Sequence, residues 1–162
     1  MANMRRAFVS LPITENLGSD GTFRPEMKEF YSTSIEAIKS LGLEVESPVL
    51  NENWGSVKLP VTEFVQFDID AITRSDLLAV ITFTRLSNDI YLEIGYAAGL
   101  GKSILIIAPH SCRTTYMING LAEAGNLNIV RFDSSDEVPR LLVSSIRTMS
   151  RPRSTGRRVA NS

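Results

Sequence analysis

The stretch LLAVITFTRLSNDIYLEIGYAAGLGKSILIIAP, residues 77–109, places a segment of helical spacing between two apolar runs. The runs at 77–84 and 103–109 are continuously apolar rather than alternating, which is typical of strands that are buried on both faces of a parallel sheet. Between them, residues 90–102 predict a helix that begins just after the first strand ends. The stretch therefore predicts a strand–helix–strand unit with parallel strands.

The rest of the chain repeats this alternation. Further strands are predicted at 5–12, 43–51 and 128–132, and further helices at 25–42, 59–76, 114–125 and 137–150. Joined by right-handed crossovers, five such units predict an α/β fold: a flavodoxin-like, doubly wound sheet of five parallel strands with helices on both faces. Residues 1–150 are expected to form a single domain, and residues 151–162 a flexible basic tail.

Composition limits the classes of function. The chain has 162 residues, 43% of them hydrophobic and 22% charged, which is typical of a globular domain. Its formal net charge of −1 gives no strong field for nucleic acid or a membrane surface, so we expect neither as a partner. Cys112 is the one cysteine, which excludes an intrachain disulfide and a cysteine-cluster metal site. The sequence shows no signal peptide and no membrane span, so we expect a cytoplasmic protein.

Ligands of doubly wound sheets bind at the carboxyl ends of the strands. Those ends are expected in the loops that start near Leu11, Asn51, Thr84 and His110. The first of these loops, residues 13–23, is long for a strand-to-helix connection, and loops of this kind are often functional. The loops predict a crevice along one edge of the sheet.

Two carboxylates are placed toward that crevice. Asp68 shares a helix face with the apolar stripe formed by Phe64, Val65, Ile69 and Ile72, whereas Asp70 is expected to face solvent. Glu93 falls in the first turn of the helix after a central strand. Each has a simple structural alternative: Asp68 could cap or pair with a neighbour, and Glu93 could complement the helix dipole. Together they suit chemistry at the anomeric carbon of a sugar.

The order of these motifs resembles the nucleoside 2-deoxyribosyltransferase-like superfamily. The resemblance is carried by FVSLP at 8–12, FDIDAITRSDLLAVI at 67–81 and S-x5-EIGYAAGLGKSILII at 87–107, and covers most of residues 7–132. The superfamily includes nucleoside deoxyribosyltransferases, deoxynucleoside 5′-monophosphate N-hydrolases, and the CMP and hydroxymethyl-CMP hydrolases of nucleoside-antibiotic pathways. The 17-residue step from Asp76 to Glu93 and the Trp54–Gly55 pair look most like the CMP-hydrolase branch.

The resemblance implies roles for five residues. Glu93 would be the nucleophile that attacks C1′ and forms a glycosyl-enzyme, and Asp68 would bind the ribose and assist proton transfer. Asp76 matches a structural position. Ser87 stands where the 5′-monophosphate hydrolases have a phosphate-binding serine and the transferases an aspartate, and Thr115 matches a serine that the hydrolases offer to a neighbouring subunit's phosphate. The resemblance further implies a homodimer or higher oligomer, with sites completed across the interface, and no metal or other cofactor.

Two departures from the hydrolase pattern concern phosphate. Asp89 stands where the hydrolases usually have glycine, and it either caps the helix or faces the phosphate with the wrong charge. The first loop lacks the arginine that the phosphohydrolases tend to carry near Ile13 and Thr14.

The remaining candidates have competing interpretations. Ile13 and Trp54 could contact the base, although Trp54 could equally be a packing lid. Tyr96 is expected to pack, and neither His110 nor Cys112 has the partners of a catalytic or metal-binding residue.

The sequence predicts an N-glycosidase of nucleoside 5′-monophosphates, with CMP or a modified pyrimidine nucleotide preferred. Two alternatives stay open: a nucleoside 2-deoxyribosyltransferase, and a nucleotide-binding module without activity.

Overall fold

The computed structural model describes residues 4–150, so the predicted tail at 151–162 lies outside the described residues. Five parallel strands form one sheet in the order β2-β1-β3-β4-β5. The strands are β1 (Arg6–Ser10), β2 (Glu44–Glu46), β3 (Leu77–Ile81), β4 (Ser103–Pro109) and β5 (Asn128–Phe132). This is the order of flavodoxin-like sheets, so the predicted fold class is confirmed.

Six helices cover the sheet: α1 (Pro25–Lys39), α2 (Pro48–Asn51), α3 (Val61–Arg74), α4 (Asn88–Gly99), α5 (Tyr116–Glu123) and α6 (Val138–Met149). Short 3-10 turns at Thr14–Asn16 and Ser135–Glu137 lie in the first loop and before α6. Helices α1 and α6 bury their apolar sides on one face of the sheet. Helices α3, α4 and α5 bury theirs on the other face, as a doubly wound sheet requires.

The central strands explain why this packing is stable. All five residues of β3 are buried, and their side chains alternate between the two apolar clusters. The register pairs Ala79 with Val9 on one side and with Leu105 on the other. Because both faces of each central strand are covered, the apolar runs need no alternation with polar residues.

The predicted second strand was too long. Strand β2 ends at Glu46, and residues 48–51 of the predicted strand form α2 instead. Pro48 occupies the first turn of that helix, where its missing N–H group costs nothing, whereas it could not have continued the strand's hydrogen-bond ladder.

The predicted apolar stripe on α3 was also partly wrong. The side chains buried there belong to Asp68, Ala71 and Ile72, whereas Val65 and Ile69 are 47% and 38% exposed. The exposed apolar residues of α3, of α4 and of the position that follows α4 recur at every fourth residue, and together they are here called the α3/α4 face: Val61, Val65, Ile69, Leu92, Tyr96 and Leu100.

The amino edge of the sheet, opposite the strands' carboxyl ends, is fixed by a carboxylate. Asp76 Oδ2 accepts hydrogen bonds from the backbone N–H groups of Arg5 and Arg6 at 2.7 and 3.1 Å, and these bonds lower the Asp76 pKa. At the same edge Ser150 Oγ lies 3.6 Å from Met4 Sδ, so the two ends of the described chain meet there. Asp76 therefore has a structural role, because it holds the start of β1 beside the start of β3.

Candidate active site

A cavity of about 560 Å³ opens at the carboxyl ends of β1 and β3, where the sequence predicts the ligand site. Its walls are residues 10–15 from the first loop, Pro48 and Glu52 around α2, Phe64 from α3, and residues 85–90 with Glu93 from the start of α4. A cavity of similar size lies between β4, β5 and α6, but its described lining includes no acidic, basic or histidine side chain. Of these two cavities, only the first is lined by acidic and basic side chains.

Glu93 enters this cavity from the second turn of α4. Burial raises the Glu93 pKa, the Ser10 hydroxyl lowers it and the nearby Asp89 charge raises it, with a net value of about 7. A glutamate that only complemented the helix dipole would have a lowered pKa. Burial outweighs the dipole here, so the simple structural alternative does not describe Glu93.

Ser10 ends β1, and its hydroxyl lies close enough to the Glu93 carboxyl to lower the Glu93 pKa. No direct hydrogen bond of good geometry joins the two side chains. Within residues 4–150, neither Ser10 Oγ nor Glu93 Oε2 has a hydrogen-bond partner, and both atoms are shielded from solvent. Buried polar atoms are normally paired, so these two groups keep hydrogen-bonding capacity that the described residues do not use.

Asp68 is 8% exposed and does not line the cavity wall itself, but it lies one helical turn after the lining residue Phe64. Burial raises the Asp68 pKa to about 8, helped by the negative charges of Glu93, Glu52 and Asp89. Its Oδ1 atom has no hydrogen-bond partner among the described residues, and no ion pair there includes Asp68. The structure thus provides neither the cap nor the ion pair of the structural alternative.

The two carboxyl groups titrate as a coupled pair. Burial raises both pKa values, to about 7 for Glu93 and about 8 for Asp68, and loss of one proton makes the other harder to remove. Near neutral pH the pair therefore holds one proton and one negative charge. One carboxylate and one carboxylic acid in a shared site can act as nucleophile and acid.

Ser87 lines the cavity as the N-cap of α4, with its Oγ accepting from the Ile90 N–H at 3.4 Å. This leaves the Ser87 hydroxyl hydrogen free to donate to a ligand. Asp89 also lines the cavity, but it sits in the first turn and is not the cap. The N-cap alternative for Asp89 was therefore wrong.

The other predicted site residues are divided between the cavity and the rest of the molecule. Ile13 lines the cavity. Trp54 is 8% exposed and packs edge-to-face on Phe23, with 5.5 Å between ring centroids, so the structure places it in the core and not in the cavity wall. Thr115 caps α5 in an exposed position outside the cavity, accepting from the Ile118 N–H at 3.4 Å.

The sequence interpretation gave no site role to several cavity residues, among them Ser10, Glu15, Glu52, Phe64 and Arg85. Glu15 accepts from Arg85 Nε and from Thr84 Oγ1, both at 2.9 Å, which joins the first loop to the loop before α4. Ser10 and Glu15 could have been found, since they flank the predicted end of β1. The positions of Glu52 and Phe64 in the cavity wall depend on the turn made by α2. The sequence pattern predicted a strand there, so these two residues could not be assigned to the cavity.

Three residues with weaker sequence signals lie outside the cavity wall. The Tyr96 hydroxyl is 2.9 Å from Thr73 Oγ1 and links α4 to α3. His110 Nε2 lies 3.8 Å from an exposed Asp133 carboxylate, and Cys112 is buried. Within the described range, no three side chains that could ligate a metal converge, and no helix has the length and apolar character to cross a membrane.

Comparison with known sequences identifies the family. The sequence profile described as nucleoside 2-deoxyribosyltransferase matches residues 17–130, more than half of the chain. The chain belongs to the nucleoside 2-deoxyribosyltransferase family. Members of this family are enzymes that act on nucleosides or nucleotides. No curated protein sequence matches the chain at a significant level.

Solved structures similar to this member of the nucleoside 2-deoxyribosyltransferase family share its fold. The solution structure of BlsM has a TM-score of 0.71 at 20% identity, covering 96% of this chain and 99% of BlsM. The CMP N-glycosidase BcmB from Clostridium botulinum has a TM-score of 0.64 at 22% identity, covering 87% and 99%. The 2-desoxiribosyltransferase from Leishmania mexicana has a TM-score of 0.50 at 18% identity, covering 86% and 97%.

Proposed function

We propose that this protein hydrolyses the N-glycosidic bond of a nucleoside 5′-monophosphate, releasing the free base and a (deoxy)ribose 5-phosphate. The observation that carries the proposal is a pair of carboxyl groups with raised pKa values. Glu93, partly buried in the cavity wall, has a pKa of about 7, and Asp68, buried one helical turn from the lining residue Phe64, has a pKa of about 8. A non-catalytic nucleotide-binding module would have no need for two carboxyl groups that each keep a buried oxygen without a hydrogen-bond partner, because such atoms are costly.

The proposed reaction has two steps. In the first, the Glu93 carboxylate attacks C1′, the bond from C1′ to the base nitrogen breaks, and Asp68 gives its proton to the departing base. In the second, water attacks C1′ of the glycosyl-enzyme, Asp68 takes a proton from that water, and Glu93 leaves as a carboxylate. The net change is addition of one water across the glycosidic bond, and both side chains return to their starting states.

Phosphate recognition is assigned to the start of α4. The Ser87 hydroxyl can donate a hydrogen bond, and the first turn of the helix offers unpaired backbone N–H groups to an anion. A cavity of about 560 Å³ is of a size that holds a mononucleotide. CMP or a modified pyrimidine nucleotide is the preferred substrate, supported by the resemblance to the CMP-hydrolase branch.

A second copy of the chain belongs to the proposal. Thr115 is exposed and lies outside its own cavity, so its hydroxyl would be accessible to the phosphate of another subunit. The α3/α4 face would supply an apolar surface for that subunit, and its residue Val65 directly follows the cavity residue Phe64 in the sequence. A homodimer assembled there would complete each site across the interface.

The second candidate is a nucleoside 2-deoxyribosyltransferase, favoured by Asp89. Its carboxylate lines the cavity near Ser87, where it would repel phosphate and suit an unphosphorylated deoxynucleoside. The same glycosyl-enzyme on Glu93 would then transfer the sugar to an acceptor base instead of to water.

One experiment separates the candidates. Mononucleotides and their nucleosides, each with and without an acceptor base, are incubated with the protein, and released or exchanged bases are separated by liquid chromatography. Base release from a 5′-monophosphate supports the proposal, and base exchange on a deoxynucleoside supports the transferase. Full turnover by Glu93→Ala would exclude both mechanisms, and Glu63→Ala, on the exposed side of α3, is the matched control.

A further inference from the structure

We infer that Arg85 is the residue that selects a phosphorylated substrate, and that Glu15 holds it in position to do so. The inference deepens the proposed function and depends on it. In this inference Arg85, two positions before Ser87 on the same loop, binds the phosphate and compensates its negative charge.

The charge balance of the cavity requires such a residue. Four carboxylates line it, from Glu15, Glu52, Asp89 and Glu93, and Arg85 is the one Lys, Arg or His among the described lining residues. A phosphate ester brings up to two negative charges into this field. The Ser87 hydroxyl and the N–H groups of α4 are neutral donors, so they give direction but little compensation of charge.

The contacts of Arg85 leave its best phosphate-binding atoms free. Its Nε atom donates to Glu15 Oε1 at 2.9 Å, and Thr84 Oγ1 holds the second Glu15 oxygen at 2.9 Å. Within residues 4–150 the two terminal nitrogens of Arg85 have no hydrogen-bond partner, and the side chain is 80% exposed. Those nitrogens form the planar pair that binds phosphate oxygens in a bidentate manner.

Glu15 therefore has a positioning role. It fixes the guanidinium by one edge, at the junction of the two loops that form the cavity rim. A nucleoside gives Arg85 nothing to bind beyond Glu15. A nucleotide fills the free pair of nitrogens and gains a charged contact, so discrimination arises from one residue at the rim.

The test compares a pyrimidine 5′-monophosphate with its nucleoside. The ratio of kcat/KM values for CMP and cytidine is measured for the native protein, Arg85→Gln and Arg85→Lys. We expect Arg85→Gln to lower the ratio at least tenfold, mainly through KM for CMP, and Arg85→Lys to fall between the two because it keeps the charge but loses the planar pair. Arg140→Gln is the matched control, because Arg140 is an exposed arginine 4.0 Å from Glu137, outside the cavity.

Binding measured by titration calorimetry makes the test independent of turnover. Tenfold weaker binding of CMP by Arg85→Gln, with CMP binding by Arg140→Gln unchanged, supports the inference. Equal CMP affinity of Arg85→Gln and the native protein overturns it. If the native protein binds and cleaves CMP no better than cytidine, phosphate recognition in the proposed function fails. If the native protein prefers CMP and Arg85→Gln keeps that preference, only the role of Arg85 fails.

Discussion

The Ser10 hydroxyl at the end of β1 faces the Glu93 carboxyl on α4 and lowers the Glu93 pKa, in opposition to burial. A nucleophilic carboxylate must be ionised when the substrate arrives, yet a cavity that excludes water favours its protonated form. Ser10 offsets part of that cost. It therefore keeps a larger fraction of Glu93 reactive at neutral pH than burial alone would allow.

Replacing Ser10 should change the pH profile more than the fold. In Ser10→Ala the Glu93 pKa rises, so we expect the acid limb of kcat/KM to move to higher pH and activity at pH 6 to fall severalfold. Ser10→Thr keeps the hydroxyl and should retain the native limb. Base release measured from pH 5 to 9 gives both curves, and an unmoved acid limb in Ser10→Ala would show that Ser10 does not act on Glu93.

The native enzyme should have a narrow, bell-shaped pH profile. Activity requires ionised Glu93 and protonated Asp68, whose pKa values are about 7 and 8, so the pair should give a maximum between those limbs. Asp68→Asn should remove the basic limb and lower kcat by about 10²- to 10⁴-fold, the range typical of a lost general acid. A broad plateau from pH 5 to 9 in the native enzyme would contradict this assignment.

Glu93→Gln should lose at least about a thousandfold in kcat, because an amide of the same shape cannot attack C1′. Substrate should still bind, since the substitution removes a negative charge from an acidic cavity. Mass spectrometry of native enzyme quenched during turnover should find one glycosyl group on the peptide that contains Glu93. Absence of that adduct, together with substantial turnover by Glu93→Gln, would argue for direct attack by water.

Asp68 should make stability depend on pH. The folded chain keeps this proton until about pH 8, whereas the unfolded chain loses it near pH 3.8, so stability from this group is full below pH 3.8 and falls as the pH rises toward 8. Asp68→Asn cannot ionise, so its stability relative to the native protein should rise between pH 5 and pH 8.5, by up to about 4 kcal/mol. Urea unfolding at both pH values measures the difference. Asp70→Asn, an exposed change on the same helix, should show no such gain.

The α3/α4 face offers a test of the proposed dimer. Val65→Asp should dissociate the dimer and weaken CMP turnover, because each phosphate would lose Thr115 of the second copy. Val57→Asp is a closely matched control, since Val57 is 46% exposed against 47% for Val65 but lies on the loop after α2. Light scattering after size exclusion gives the mass, and a native protein that is monomeric at all concentrations would remove the second copy from the proposal.

Much of the fold could be predicted from the sequence because buried parallel strands leave a direct signal. The runs at 77–84 and 103–109 indicated β3 and β4, and the handedness of the crossovers then limited the sheet order. The end of β2 could not be placed as easily, because a short apolar run suits either a strand or a helical turn until Pro48 is weighed.

Site residues could be predicted where the spacing within one helix determines which side chains face inward. They could not be predicted where the site depends on contacts between segments that are distant in the sequence. Helical periodicity turned Asp68 inward, but the same periodicity could not distinguish core from an exposed apolar face at Val65 and Ile69. The pKa of Asp68 depends on three charges from two other segments, and the place of Arg85 depends on Glu15, which is 70 residues away in the chain. No single window of sequence contains those relationships.

The meeting of Met4 and Ser150 at the amino edge of the sheet has a practical consequence. Attachment points near residues 4 and 150 leave the molecule on the side away from the cavity, so a support or fused domain joined at either one should not block substrate entry. The two positions are also close enough for a brief peptide to join them, with new ends opened in an exposed loop elsewhere. An immobilised form that keeps the turnover of the free enzyme would show that the protein can be attached through this edge without loss of activity.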